Sequence, residues 1–185
     1  MASAEVRQIR RRIKSVQSTM KITRAMELIA TSRIAKAQVR VAQSQPYTAK
    51  MTDVIRNIAA ASGGLSHPLL EPREVKTTGV VIVTSDRGLA GGYNTNVMRL
   101  AERQLLDYRA AGKDVRVYVV GKKAQSYFRY RKYQLEQSFL GVTDTPTYGD
   151  ARAIANILLN EYEDGAVDAV EVYTTRYLSA MTQTP

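Results

Sequence analysis

Cysteine is absent from all 185 residues, which removes disulfides, thiolate nucleophiles and cysteine metal ligands from consideration. Histidine occurs once, at His67 in a breaker-rich loop before Pro68, and no His and carboxylate grouping has a metal-ligand spacing. No stretch approaches the roughly 18 to 20 consecutive apolar residues that a membrane-crossing helix needs, and the N-terminus lacks the apolar core of a secretion signal. Glycine and proline are missing before Pro46. That last absence is the constructive one, because it leaves more than forty residues with nothing to stop a helix.

The first forty residues accordingly read as one helical rod of roughly 60 Å at about 1.5 Å per residue. Val6, Ile9, Ile13, Val16 and Met20 alternate steps of three and four residues, the seam of a supercoiled helix. After Met20 the seam shifts to Ile22, Met26 and Ile29 and then drifts through Ile34, Ala37 and Val41, as suits a helix that meets different neighbours along its length. The Arg-rich, acid-poor start resembles an organelle transit peptide, but the pattern runs unbroken through the rod, so it is read as mature sequence. The helical pattern resumes from Pro46 to about Ala61, with a kink expected at the proline.

Charge follows the rod. Residues 1–40 hold ten Lys and Arg against Glu5 and Glu27, which is +8 of the net +10, and the remainder is nearly balanced. The basic character therefore belongs to the rod, and a basic rod calls for an acidic partner or sleeve.

Ser62-Gly63-Gly64 is a helix stop, and the breaker-rich segment after it is a boundary. The expected organisation is a shaft helix over 1–62, a linker over 63–78 and an α/β domain over 79–185. Val80 to Thr84 is a continuous β-branched run of the kind buried on both faces of a parallel sheet. Asn94 is expected to cap a helix with Val97, Ala101, Leu105 and Tyr108 on one face, followed by a strand over Val115–Val120. Lys122 to Tyr133 reads as a short helix, and a polar loop runs through Gly141 to Gly149. Asp150 is expected to cap a helix carrying Ile154, Ile157, Leu158 and Tyr162, and Val167–Tyr173 is a third strand. This order predicts a small, open, mostly parallel sheet covered by helices, with Rossmann-like layering.

Chemistry-bearing motifs are few. Ser85 to Asn94, SDRGLAGGYN, is a Gly-rich turn between a strand and a helix, a place where phosphate can be cradled. Gly88, Gly91 and Gly92 do not supply the dinucleotide spacing, and no Gly-Lys-Ser/Thr ending makes a P-loop. The turn is read as structural, with Asp86 and Arg87 paired locally. Glu161, Glu163 and Asp164 read as a solvated helix end. Lys122, Lys123, Arg129, Arg131 and Lys132, interleaved with Tyr127, Phe128, Tyr130 and Tyr133, have a composition that can stack on single-stranded nucleic acid. The favoured reading puts Ala124, Tyr127 and Phe128 on a face covering the sheet. No catalytic, cofactor-binding or metal-binding residue is expected.

Two stretches carry a family resemblance: Ile9 to Gln38, IRRRIKSVQSTMKITRAMELIATSRIAKAQ, and SDRGLAGGYN. Together they resemble the gamma subunit of the F-type ATP synthase, as do GKKAQSYFRYR and the closing YTTRYLSAMTQTP. The resemblance implies a rotor shaft without its own active site or cofactor. It implies a coiled coil within the alternating alpha and beta subunits and a foot contacting the epsilon subunit and the ring of c subunits. Proton-driven rotation would be coupled there to ATP synthesis or hydrolysis. The implied location is the cytoplasmic side of a bacterial plasma membrane, held peripherally. Carried onto this chain, the implied shaft contacts are Arg10, Ile13, Lys14, Met20, Lys21, Ile22, Thr23, Arg24, Met26 and Ile29. The family turn is Ser85, Asp86, Arg87, Gly88, Gly91, Gly92 and Asn94.

Two departures accompany the resemblance. Ala90 stands where the family commonly has cysteine, and the second long helix with which the family's first one pairs does not follow in this sequence. The alternative reading is a nucleic-acid-binding protein that uses the basic N-terminal helix. Arg7, Arg10, Arg11, Arg12, Lys14, Lys21 and Arg24 oppose it, because they occupy the same turns as the apolar seam.

Overall fold

The computed structural model describes residues 4–61, 67–69, 71, 73–179 and 181–185. Packing divides the chain into two compact units, Met1–Leu65 and Ser66–Pro185. The helix stop at 62–64 and part of the expected linker lie outside the described residues, and Thr77 and Thr78 at the linker's end already belong to a strand.

The first unit contains one helix, α1, Ala4–Ala61, of 58 residues, or about 87 Å at roughly 1.5 Å per residue. The helical assignment continues through Pro46. That proline cannot donate to the carbonyl of Ala42, and the loss is confined to one bond among dozens. Around it, hydroxyls of Ser44, Thr48 and Thr52 return to the carbonyls of Val41, Ser44 and Thr48 at 2.8–3.1 Å.

The second unit is an α/β domain. Its elements are β1 (Thr77–Val83), α2 (Tyr93–Ala110), β2 (Asp114–Val120), α3 (Lys122–Tyr130), β3 (Gln137–Phe139), α4 (Tyr148–Glu163), β4 (Ala169–Tyr173), β5 (Arg176–Tyr177) and β6 (Gln183–Thr184). Four strands form one parallel sheet in the order β3-β2-β1-β4, and β5 and β6 pair as a small antiparallel ribbon. The sheet has one strand more than expected. Gln137–Phe139 carries no strand pattern of its own, yet it pairs with Tyr118–Val120.

Strand alternation sorts the core into two layers. Val80, Ile82, Val117 and Val119 meet Val97, Ala101 and Leu105 of α2 and Ala124 and Phe128 of α3 on one face. Val81, Tyr118 and Val120 meet Ile154 and Leu158 of α4 on the other. Each fully buried Val, Ile or Phe stabilises the domain by about 1.5–3 kcal/mol relative to exposure.

Helix starts differ from expectation in two places. Asn94 does not cap α2: Gly92 holds that position, and the Asn94 side chain turns back to Ser85. Asp150 is not the cap of α4 either. Thr147 is, and Asp150 is the third helical residue of a reciprocal capping box, its N–H donating to Thr147 Oγ1 at 3.2 Å while its carboxylate accepts from Thr147 N–H at 2.9 Å. Among the described residues no helix is long and apolar enough to cross a membrane.

Candidate functional site

Two features qualify as candidates, the Gly-rich turn of the second unit and the exposed surface of α1. The turn leaves β1 at Thr84, a buried residue whose hydroxyl donates to Val120 O at 3.2 Å. The same hydroxyl accepts the backbone N–H of Ala124 at 3.0 Å. Ser85 O accepts the N–H of Lys123 at 3.2 Å, and Asp86 Oδ1 accepts that of Lys122 at 3.0 Å. Thr84, Ser85 and Asp86 thus satisfy the first three donors of α3, a helix that lies 36 residues or more further along the chain. An N-terminus open in this position would attract an anion. Here the protein's own carboxylate occupies it.

Asp86 is held from a second side. Thr143 donates to its Oδ2 through N–H at 3.2 Å and through Oγ1 at 2.6 Å, and Thr143 Oγ1 accepts the N–H of Asp86 at 2.9 Å. Burial alone pushes the Asp86 carboxyl up. Hydrogen bonds from the Thr143 hydroxyl and the backbone of Gly141, Thr143 and Lys122 outweigh it and hold the group below its ordinary value of 3.8. Arg87 pairs with Asp144 at 2.6 Å. Asp86 and Arg87 therefore do not form the local pair expected from the sequence; each reaches the loop before α4. Thr143 and Asp144 lie outside every motif of the sequence, and a separation of 57 residues between Asp86 and Thr143 leaves no local signal for the contact.

Ser85 and Asn94 close the turn upon itself, with Ser85 N–H donating to Asn94 Oδ1 at 2.9 Å and Asn94 Nδ2 to Ser85 Oγ at 2.9 Å. Gly91 has φ of 54° and Leu89 of 60°, and the Leu89 side chain is 96% exposed. Gly88 faces Lys123, whose Nζ a Cβ at that position would approach to 3.4 Å. Beyond the turn, at the carboxyl ends of β1 and β4, lies a recess of about 250 Å³. Open α/β sheets hold ligands in that place. Its lining, which includes Tyr93, Asn96, Thr175 and Gln183, contains no charged side chain, so it offers no cation to a phosphate.

Other candidate groups prove to be structural. Glu161 is not at a solvated helix end: it accepts the hydroxyl of fully buried Tyr118 and pairs with Arg116 at 3.1 Å, which ties α4 to the sheet. His67 is exposed, and its Nδ1 accepts the N–H of Leu69 at 3.2 Å. Tyr127 donates to Glu102 at 2.7 Å and stacks edge-on against Phe128, so these rings pack inward. Among the described residues no group of His, Cys, Asp or Glu is arranged to hold a metal ion.

On α1 the implied shaft residues are all exposed, with Ile13 at 51% and Met20 at 62%. At about 100° per residue, Val6 to Met20 fall on one stripe, and Ile22, Met26 and Ile29 fall on another roughly half the circumference away. Arg10, Lys14, Lys21 and Arg24 lie along one side of the helix, between the two stripes. Thr23 Oγ1 donates to the carbonyls of Thr19 and Met20 at 3.2 and 3.0 Å, and Arg24 pairs with Glu27 at 2.9 Å.

These features define a class: a chain with a long helix carrying two opposed apolar stripes, followed by a four-stranded parallel α/β domain whose Gly-rich turn is self-capped. A family model described as ATP synthase matches residues 5–185. The chain belongs to the ATP synthase gamma chain family. It is 46% identical over 186 residues to the ATP synthase gamma chain of Parafrankia sp. (strain EAN1pec), covering 98% of this chain and 62% of the relative. The gamma chain of Moorella thermoacetica is 42% identical over 182 residues, with 98% and 64% covered. The chain thus spans a little under two thirds of the length of these relatives.

Among solved structures, the fold resembles a chain of the Tetrahymena thermophila mitochondrial ATP synthase central stalk and c ring. The TM-score is 0.70 at 23% identity, covering 88% of this chain and 69% of that one. It also resembles a chain of the Euglena gracilis mitochondrial ATP synthase OSCP/F1/c-ring assembly, with a TM-score of 0.64 at 17% identity and 99% and 56% covered.

Proposed function

We propose that this chain is the N-terminal shaft helix and foot domain of a non-catalytic central-stalk subunit, which couples rotation of a proton-driven membrane ring to ATP synthesis or hydrolysis in partner subunits. The observation that carries the reading is α1, which exposes two apolar stripes on opposite sides and a flank of cations. A helix of that length needs tertiary cover to be stable, and two opposed stripes accommodate two neighbours at once. Membership of the family supports a choice of neighbours. They are the alpha and beta subunits around the shaft, with the epsilon subunit and the ring of c subunits at the foot, and nucleic acid has no part in the assembly.

In this reading Ile13 and Met20 pack in one seam and Ile22, Met26 and Ile29 in the other. Arg10, Lys14, Lys21 and Arg24 face acidic loops of the surrounding subunits, and Thr23 stiffens the turn between the seams. The functional division is a shaft over 1–62, a linker over 63–78 and a foot over 79–185. The Gly-rich turn, with Ser85, Asp86, Arg87, Gly88, Gly91, Gly92 and Asn94, fixes the end of the foot's sheet and binds no nucleotide. The subunit sits peripherally on the cytoplasmic side of a bacterial plasma membrane, held there by its complex.

Co-purification tests this. Tagged chain expressed with alpha, beta and epsilon subunits of the Parafrankia ATP synthase should bring all three down, and Ile13→Asp with Met26→Asp should reduce the yield of alpha and beta at least tenfold. Enzymatic ATP hydrolysis by the purified chain alone, or salt-resistant binding to duplex DNA with no retention of the subunits, would overturn it.

A further inference from the structure

The near-neutral charge of residues 41–185 conceals a separation. Residues 93–133, which contain α2, β2 and α3, hold ten Lys and Arg against Glu102, Asp107 and Asp114, net +7. Residues 134–185 hold eight Asp and Glu against Arg152 and Arg176, net −6. The basic character is therefore not confined to α1, and the balance of the domain is a cancellation between two segments of its sequence.

The fold makes this separation spatial. α2 and α3 lie together on one face of the sheet, and α4 lies on the other. Arg99, Arg103, Lys122, Lys123 and Arg129 are exposed on the α2–α3 layer. Tyr127 of α3 donates to Glu102 of α2, so the two helices adjoin on this layer. Glu102, within this layer, is taken up by Tyr127 and Arg131 at 2.7 Å each. Across the sheet, Glu161 is engaged by Arg116 and Tyr118, while on the α2 side Glu171 is taken up by Tyr108 and Tyr173.

We infer that the outer face of α2 and α3 is a docking surface for a carboxylate-rich protein segment that also carries apolar side chains. Leu100, Leu106 and Tyr130, exposed by 39%, 50% and 85%, lie on the same helices as the cations. Arginine and tyrosine among apolar patches are the composition of protein interfaces. The other polyanions fit less well. Phe128, Tyr127 and Tyr133 pack against one another edge-on, which leaves Tyr130 as one exposed ring on these helices, where single-strand binding stacks successive bases on several. The apolar faces of α2 and α3 are spent on the sheet, which leaves no helix face to enter a bilayer. The inference does not depend on the shaft reading, since it involves only the second unit.

The test is carbodiimide cross-linking of the full chain to a random glutamate–leucine copolymer at about physiological ionic strength, with poly-L-glutamate, duplex DNA and phosphatidylglycerol vesicles as competitors. Cross-links should form at Lys122 and Lys123. Arg99→Glu with Arg103→Glu should lower their yield at least tenfold while leaving cross-links at Lys14 and Lys21 of α1 unchanged. The copolymer should outcompete poly-L-glutamate. Because all these side chains are exposed, the fold should persist; Arg99→Gln with Arg103→Gln, checked by circular dichroism, gives the same direction if the reversal does not fold. Cross-links confined to α1, no response to either variant, or stronger competition by DNA or vesicles than by poly-L-glutamate would each overturn the inference.

Discussion

The carboxylate of Asp86 accepts the backbone N–H of Lys122 at 3.0 Å, so a residue leaving β1 caps the helix that succeeds β2. Capping carboxylates of this kind contribute about 1–2 kcal/mol. Asp86→Ala should destabilise the α/β domain by about that amount, and Asp86→Asn by less, in urea denaturation followed by tyrosine fluorescence. Loss of the carboxylate also opens the N-terminus of α3. Inorganic phosphate should then raise the midpoint of the Ala variant and leave the parent protein unmoved; equal responses would show that the N-terminus was never filled.

Stability should also fall in acid, over a window set by four carboxyls. For Asp86 and Glu102 burial opposes ionisation but hydrogen bonds outweigh it; Asp150 is bonded by Thr147, and Asp168 by the backbone of Thr77 and Lys76. All four are held below their ordinary values of 3.8 for Asp and 4.5 for Glu. A carboxyl lowered on folding binds its proton more weakly in the folded state. Its stabilisation is complete above the unfolded value and is lost as pH falls through the folded one. Calorimetry should therefore find the domain's midpoint flat from about pH 7 to about 5 and dropping below about 4.5, with a shallower drop in Asp86→Asn.

Gly121 is a second position where the turn constrains the chain beyond β2. Its φ is 94°, and a Cβ there would lie 2.4 Å from the carbonyl oxygen of Thr84. Backbone cannot retreat as a flexible side chain can. Strain of this kind costs about 1–3 kcal/mol before any clash, so Gly121→Ala should lose about 3 kcal/mol or more and lower Tm by about 10 °C or more. Gly112→Ala, at φ of 69° with nothing within 4 Å, should cost about 1 kcal/mol. Equal losses at the two sites would mean that the backbone approach at Gly121 is not the controlling contact.

Local signals made most of this fold legible. The β-branched run around Val80 to Val83 and the spacing of Val97, Ala101 and Leu105 depend on each residue's own neighbours, and both reappear as buried faces. What escaped is non-local. Gln137–Phe139 has one large apolar residue and becomes a strand because Glu136 N–H finds Val117 O, and Phe139 O accepts Gly121 N–H, both at 2.9 Å. Asn94 fits a capping pattern, but Ser85, nine residues earlier, competes for its side chain and wins. The turn takes a left-handed residue at Gly91, φ 54°, with nothing within 4 Å of where a Cβ would lie. That its carboxylate fills the start of α3 was not readable, because nothing in SDRGLAGGYN encodes where Lys122 will lie.

Tyr118 and Glu161 provide the clearest test of how the acidic residues are used. Tyr118 is fully buried, its hydroxyl donates to Glu161, and Arg116 shares the same carboxylate oxygen at 3.1 Å. Tyr118→Phe removes the donor and leaves Glu161 with Arg116, at a cost of about 1 kcal/mol. Glu161→Ala instead leaves a buried hydroxyl without its acceptor and an arginine without its partner, so about 2–3 kcal/mol should be lost. The double variant should fall short of the sum, because either change alone breaks the same bond. Burial first, and the Glu161 carboxylate second, push the Tyr118 hydroxyl far above its ordinary value of 10.0. A group raised in this way supports the fold below its unfolded value and loses that contribution as pH climbs beyond it. In an absorbance titration Tyr118 should stay silent until the domain unfolds in alkali. Glu161→Gln should bring its ionisation to lower pH, and an unchanged titration would show that the carboxylate's charge does not reach the phenol.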